Sequence, residues 1–134
     1  MAKGKTKSGK ISVFKGHEAR LNRAIFHILA LQGPLTIYDI HKEVKAQRGL
    51  RQTRYANVNK RVRALEESGY IKKIGIKKTK AGFEASIYEL NVKGYLAIFL
   101  NQINLDDFLK RVDDAAALTI LGAITNTTQV SSMV

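Results

Sequence analysis

The stretch RQTRYANVNKRVRALEESG, residues 51–69, decides the fold of this chain. Apolar side chains recur in it at the spacing of an α-helix that buries one face, at Tyr55, Val58, Val62 and Leu65. At about 100° per residue, the opposite face presents cations, amides and small side chains. These are Thr53, Ala56, Asn57, Lys60 and Arg63, with Arg54 and Arg61 on the flank. The pattern predicts an amphipathic helix over residues 53–68, ended by Gly69.

The charge of the chain is unevenly distributed. The 134 residues have a formal net charge of +12, and residues 1–80 hold 20 Lys and Arg against 5 Asp and Glu. Residues 81–134 hold 3 and 6, so the positive excess belongs to the first part. A basic segment of this kind favours contact with a polyanion such as nucleic acid. Cysteine is absent, which excludes disulfides and thiolate metal sites.

Two further helices are predicted before the basic helix. The first spans residues 18–32 and is stopped by a Gly-Pro pair. The second begins after Thr36, an N-cap residue with Asp39 in the capping-box position, and closes near residue 47. A short turn containing Gly49 then leads into the basic helix. Two helices joined by a short turn, the second of them basic, form the helix-turn-helix arrangement.

A β-hairpin with a basic tip is predicted after the basic helix. β-Branched residues recur over residues 71–76, and residues 87–90 suit a returning strand. The polar loop between them has one glycine and a cluster of cations at Lys77, Lys78 and Lys80.

The segments on either side of this hairpin resemble those of a known family. Leu-Glu-Glu-Ser-Gly-Tyr-Ile, residues 65–71, is similar to the segment that closes the recognition helix in winged helix-turn-helix regulators of the MarR and PadR type. Tyr-Glu-Leu-Asn-Val-Lys-Gly, residues 88–94, is similar to the segment that follows their wing, with Asn91 where Thr is usual. The resemblance covers residues 17–100. It implies a mainly α fold with a small β-hairpin, in which C-terminal helices follow a winged helix-turn-helix domain.

The C-terminal part, residues 101–134, is predicted to contain one long amphipathic helix. It begins at Asn104, with Asp107 in the capping-box position, and its apolar stripe continues through residues 105–124. A lone helix needs a partner for such a stripe, either a second subunit or the core of its own domain. In the regulators that the chain resembles, terminal helices pair two subunits. A two-fold dimer suits palindromic half-sites, so we expect a homodimer.

These features predict a sequence-specific double-stranded DNA-binding protein, with transcription regulation as its role. The basic helix would enter the major groove, where Asn57 and Gln52 have the amide geometry for adenine and Arg54 suits guanine. Ala56 is small enough to approach a thymine methyl. The other predicted DNA-binding residues are Thr53, the phosphate-binding cations Lys60, Arg61 and Arg63, and Lys77, Lys78 and Lys80 of the wing.

Two other functions are consistent with the same pattern. One is RNA binding within a transcription or replication assembly, and the other is a protein-interaction module. Single-stranded recognition would favour exposed aromatic side chains. Tyr55 and Tyr70 are expected on the core side, and the wing offers only Phe83, so duplex DNA is preferred. A protein-interaction module would show an exposed apolar patch and weak, non-selective DNA affinity.

The sequence contains no motif of a catalytic or cofactor site. No P-loop, dinucleotide fingerprint or nucleophile elbow is present, and the carboxylates over residues 106–114 have no histidines beside them. We therefore expect a protein that is not an enzyme and that binds neither cofactor nor metal.

The first residues are basic and rich in Gly and Ser. Residues 1–16 are predicted to form a flexible arm whose lysines, Lys3, Lys5, Lys7, Lys10 and Lys15, could contact phosphates. Ile11, Val13 and Phe14 alternate weakly, which suggests a short strand or a tie between the arm and the core. The first residues lack the apolar region of a secretory signal, and the chain has no apolar run of about 18 residues. The expected location is the cytoplasm, with no membrane contact.

Overall fold

The computed structural model describes the backbone of residues 11–133 and the side chains of residues 11–127. The order of helices and strands is that of a winged helix-turn-helix followed by C-terminal helices, which confirms the predicted fold class. After a short 3-10 helix, Ser12–Phe14, come α1 (Ala19–Gln32), β1 (Leu35–Thr36), α2 (Ile37–Lys45), α3 (Tyr55–Glu67), β2 (Ile71–Lys78), β3 (Glu84–Leu90), α4 (Val92–Gln102), α5 (Leu105–Arg111) and α6 (Asp114–Met133).

The chain divides into two compact units, with the boundary between Gln102 and Ile103. The first contains the elements through α4 and has the hydrophobic core. The second contains α5 and α6. No helix in the described part of the chain is both long and apolar enough to cross a membrane.

The core of the first unit is built where α1, α2 and α3 meet the sheet. Each helix contributes the apolar stripe that its sequence period predicts, and Ile25, Ile40 and Val62 are fully buried. Phe26 lies at the centre, with its ring centroid 5.0 Å from that of Phe14 and 5.4 Å from that of Tyr70. Edge-on and tilted ring contacts at these distances add to the stabilisation from burial alone.

The predicted hairpin is present, but it belongs to a three-stranded antiparallel sheet in the order β1-β3-β2. The additional strand, β1, has only two residues, and it pairs Leu35 with Tyr88 and Thr36 with Ile87. Sequence periodicity cannot detect a strand of this length. Thr36 has a second role as predicted, because its hydroxyl oxygen accepts a hydrogen bond from the backbone N–H of Asp39 at 3.1 Å and caps α2.

The predicted arm extends too far into the chain. Phe14 is 1% exposed and packs on Phe26, so residues 11–16 belong to the folded unit because their aromatic side chain completes its core. Lys15 therefore lies in an ordered bend, directly after the short 3-10 helix. The remaining lysines of the predicted arm, Lys3, Lys5, Lys7 and Lys10, lie outside the described residues.

The prediction of one long C-terminal helix is wrong, because two helices form. Asn104 caps α5 as predicted, with its Oδ1 atom accepting from the Asp107 N–H at 3.1 Å. Val112 is then extended, and the Asp113 Oδ1 atom accepts from the Ala116 N–H at 2.8 Å. Asp is a preferred N-cap residue, so Asp113 begins a new helix where the apolar period alone suggests continuation.

Candidate nucleic-acid interface

One side of α3 packs in the core, and the opposite side is exposed to solvent. Val58 and Val62 are 0% exposed, whereas Ala56, Asn57, Lys60 and Arg63 on the other side are exposed. Burial of the narrow apolar stripe therefore fixes the rotation of the helix about its axis. The basic face predicted from the sequence lies on the protein surface.

The N-terminal end of α3 is oriented by α2. The His41 Nε2 atom lies 2.8 Å from the Thr53 carbonyl oxygen, so this nitrogen carries the proton of the hydrogen bond. Arg54 is the N-cap residue and makes no capping bond with its side chain. Gln52 and Arg54 are exposed, and Thr53 is half-buried. The two predicted base-contacting side chains at this end are thus available to a ligand.

Tyr55 does not lie on the core side, contrary to the prediction. It is 46% exposed, and its ring stands edge-on to His41 with 5.7 Å between centroids. Tyr55 is the first residue of α3, and it projects beyond the layer of core residues that begins at Val58. One of the two aromatic residues used to disfavour single-stranded ligands is therefore accessible, whereas Tyr70 is partly buried against the core.

Arg61 joins three segments of the first unit. Its Nε atom donates to the Asn22 Oδ1 atom at 3.0 Å and lies 3.8 Å from a Glu18 carboxylate oxygen. The buried Asn22 side chain in turn donates from Nδ2 to the Val13 carbonyl oxygen at 2.9 Å. Arg61 thus has a structural role, with its side chain 19% exposed. Arg63 is exposed and donates from Nε only to its helix neighbour Asn59.

Three exposed lysines lie at the tip of the wing. Lys77 and Lys78 lie at the end of β2 and Lys80 in the turn that follows, and all three are exposed. The Thr79 N–H donates to the Phe83 carbonyl oxygen at 2.7 Å, and the Phe83 N–H donates to the Thr79 Oγ1 atom at 3.1 Å. This pair of bonds gives the tip of the wing a defined shape.

Most cations of this surface are not neutralised within the protein. Within residues 11–133, the two ion pairs are Arg61 with Glu18 and Lys72 with Glu89. The predicted DNA-binding cations of α3 and the wing other than Arg61 have no carboxylate partner there. Their charge is available to an external anion.

The structure adds residues that the sequence pattern did not single out. A cleft of about 300 Å³ separates the beginning of α1 from α3, and it brings His17 and Arg20 beside Thr53, Asn57 and Lys60. His17 and Arg20 are distant in sequence from the basic helix. Their only sequence signal is a basic residue in the first turn of a predicted helix, which is common on any protein surface.

Comparison with known proteins gives a structural likeness. No protein-family model and no curated protein matches the sequence. The crystal structure of Bacillus subtilis PadR in complex with operator DNA is similar, with 21% sequence identity and a TM-score of 0.49. The alignment covers 87% of this chain and 65% of the PadR chain, so this chain spans less than two thirds of the length of that protein.

Proposed function

We propose that this protein is a sequence-specific, double-stranded DNA-binding regulator of transcription that reads the major groove with α3. The observation that carries the proposal is the exposed basic and amide face of α3, opposite the buried Val58 and Val62. An α-helix fits the major groove of B-form DNA, and the second helix of a helix-turn-helix is the one that enters it. The resemblance of residues 65–71 and 88–94 to winged-helix regulators agrees with this.

The roles of the side chains follow from their chemistry. The Asn57 and Gln52 amides can each donate to and accept from one adenine, and Arg54 can donate two hydrogen bonds to guanine. Ala56 leaves room for a thymine methyl. Lys60, Arg63 and the wing lysines would bind phosphates, which positions the protein without selecting a sequence. Arg61 would contribute through its terminal nitrogens only, since its Nε atom is bonded to Asn22.

Salt titration of two α3 variants tests this assignment. Lys60→Ala should weaken binding to every duplex alike and lower the slope of log affinity against log salt by about 0.9, the value for one phosphate contact. Asn57→Ala should leave the slope unchanged and relax the preference at one base pair, worth about 1–3 kcal/mol. Binding of the variants is compared on random and selected duplexes. If both variants equal the parent on every duplex, α3 is not the reading helix.

We propose further that the C-terminal helices pair two copies of the chain. Large apolar side chains on them are solvent-exposed, with Leu109 at 66%, Leu118 at 69% and Leu121 at 60%. The helix α6 has 20 residues and no charged residue after Asp114. A helix that is apolar on most sides is normally covered by protein. A two-fold pair would also present two α3 helices to two half-sites.

The pairing is tested by charge insertion. The double variant Leu118→Glu with Leu121→Glu should be monomeric in sedimentation at concentrations where the parent is a dimer. Carboxylates cannot be buried in an apolar interface without a partner. Thr119→Glu is the matched control, because Thr119 lies about 100° and 200° around the helix from the two leucines. A parent that is monomeric at all concentrations refutes the pairing.

The alternative functions have their own signatures. RNA binding within a larger assembly gains support from the exposed Tyr55, and it predicts tighter binding to single-stranded RNA than to duplex DNA. A protein-interaction module shares the exposed apolar surface of α5 and α6, and it predicts DNA affinity that is weak and non-selective. Duplex DNA is favoured because the exposed cations and amides lie on one face of α3, and an α-helix with such a face fits the major groove. As a DNA-binding regulator the protein would act in the cytoplasm.

A further inference from the structure

We propose that the cleft between α1 and α3 holds one phosphate group of the DNA backbone, with Arg20 and His17 as further DNA-binding residues. The inference rests on the proposed function and deepens it. It extends the interface from the basic helix and wing to the beginning of α1, which supplies a cation from a different part of the sequence.

The shape and position of the cleft suit this ligand. Its volume is about 300 Å³, and one wall is lined by Asn57 and Lys60 of α3 and by Thr53, which precedes this helix. These three residues are predicted to face the duplex, so the cleft borders the DNA-reading surface. A backbone phosphate flanking the groove that α3 enters would meet the mouth of the cleft. His17 and Arg20 line the opposite wall.

The charge of the cleft is positive after internal pairing. Glu18 is the one carboxylate that lines it, and this carboxylate lies 3.8 Å from the Nε atom of Arg61. Arg61 and Glu18 therefore largely offset each other. Arg20 and Lys60 have no carboxylate within ion-pair distance among residues 11–133. Two cations without a carboxylate partner in the described part of the chain therefore line the same cleft, with a histidine beside them. This arrangement favours an oxyanion that accepts hydrogen bonds from both cations.

The position of Arg20 is restricted by the turn between α2 and α3. Its guanidinium lies directly over Gly49, so closely that a Cβ atom there would clash with Nη2. Gly49 has a φ of +85°, a conformation that glycine adopts without strain. This contact places the guanidinium against the turn at the edge of the cleft, while Arg20 stays exposed to solvent and accessible to a ligand. Arginine can give a phosphate two parallel hydrogen bonds, and a pre-positioned guanidinium loses less entropy on binding.

The lining argues against an apolar ligand. Leu21 and Leu50 are its apolar members, and both contribute to the core or pack against it. The remaining lining groups are charged or hydrogen-bonding. A phosphodiester oxyanion matches that chemistry, and small-molecule pockets are instead mostly apolar.

The test is a double-mutant cycle on DNA binding by the full chain. Arg20→Gln keeps most of the packing over Gly49 and removes the charge. On a random-sequence duplex at about 0.1 M salt, it should lower affinity about 8-fold and reduce the salt slope by about 0.9, as expected for one lost phosphate contact. Arg20→Gln combined with Lys60→Ala should lose less than the product of the single effects, because both cations hold the same phosphate. Arg23→Ala is the matched control, since Arg23 lies on α1 but does not line the cleft.

The outcomes separate this inference from the proposed function. If Lys60→Ala loses affinity while Arg20→Gln binds like the parent, the α1 contact is refuted and α3 remains the reader. Equal losses for Arg23→Ala and Arg20→Gln would indicate a general charge effect and also refute it. If neither Lys60→Ala nor Arg20→Gln changes binding and the slope is flat, the DNA-binding function itself fails.

Inorganic phosphate at constant ionic strength should compete with DNA weakly for the parent. Competition of the same strength in Arg20→Gln would contradict a phosphate site at this residue.

Discussion

Gly94→Ala is expected to lower the free energy of unfolding by about 3 kcal/mol, at the upper end of the cost of overpacking. A Cβ atom on Gly94 would lie 2.6 Å from the Leu90 Cδ1 atom and 2.7 Å from the Tyr70 carbonyl oxygen. The leucine can turn, but the carbonyl belongs to the backbone and accepts a hydrogen bond from the Asn91 N–H at 2.7 Å. Moving it would break the contact that connects the start of β2 to the start of α4. Urea denaturation followed by circular dichroism measures the change.

The sign of this effect distinguishes packing from helix propensity. Alanine is more favourable than glycine in a helix by about 1 kcal/mol, so propensity alone predicts stabilisation. Gly122→Ala, in α6, is the control because a Cβ atom there would meet nothing within 4 Å. Since Gly122 lies one turn from Leu118 on the face proposed to pair two copies, the control is measured in the monomeric Leu118→Glu, Leu121→Glu background. It should leave the unfolding midpoint unchanged or raise it. A Gly94→Ala variant as stable as the parent would mean that α4 does not approach the sheet this closely.

Replacing Lys77, Lys78 and Lys80 together with alanine is expected to reduce duplex affinity roughly 500-fold at about 0.1 M salt, if each lysine meets one phosphate. The same change should lower the slope of log affinity against log salt by about 2.7. The three side chains are exposed and have no ion-pair partner in the described residues. The loss should be equal for all sequences, because phosphate contacts carry no base information. Fluorescence anisotropy across a salt series measures both quantities.

Lys72→Ala is the control for the wing. Lys72 lies at the base of the same hairpin, with its Nζ atom 3.5 Å from a Glu89 carboxylate oxygen. Because its charge is already paired, its removal should change affinity and slope little. A triple variant that kept the parental slope would exclude the wing from the DNA interface, whatever the role of α3.

The sequence predicted the elements whose signals are local. The period of Val58, Val62 and Leu65 fixed one side of α3 in the core, and these residues are 0–2% exposed. Thr36 and Asn104 cap helices as predicted, since a cap needs only a polar side chain and an N–H three residues away. The prediction for Tyr55 was wrong because periodicity gives the direction of a side chain around the helix, but not where the core ends along it.

The sequence by itself determined the order of α1, α2, α3 and the hairpin, the caps at Thr36 and Asn104, the basic face of α3 and the lysines of the wing, because each depends on residues a few positions apart. Only the tertiary structure decided the two-residue strand β1, the burial of Phe14, the bonding of Arg61 to Asn22 and the cleft that brings Arg20 beside Lys60. These contacts join residues that are separated by at least a dozen positions. Their geometry depends on how the helices pack, and no local periodicity encodes it.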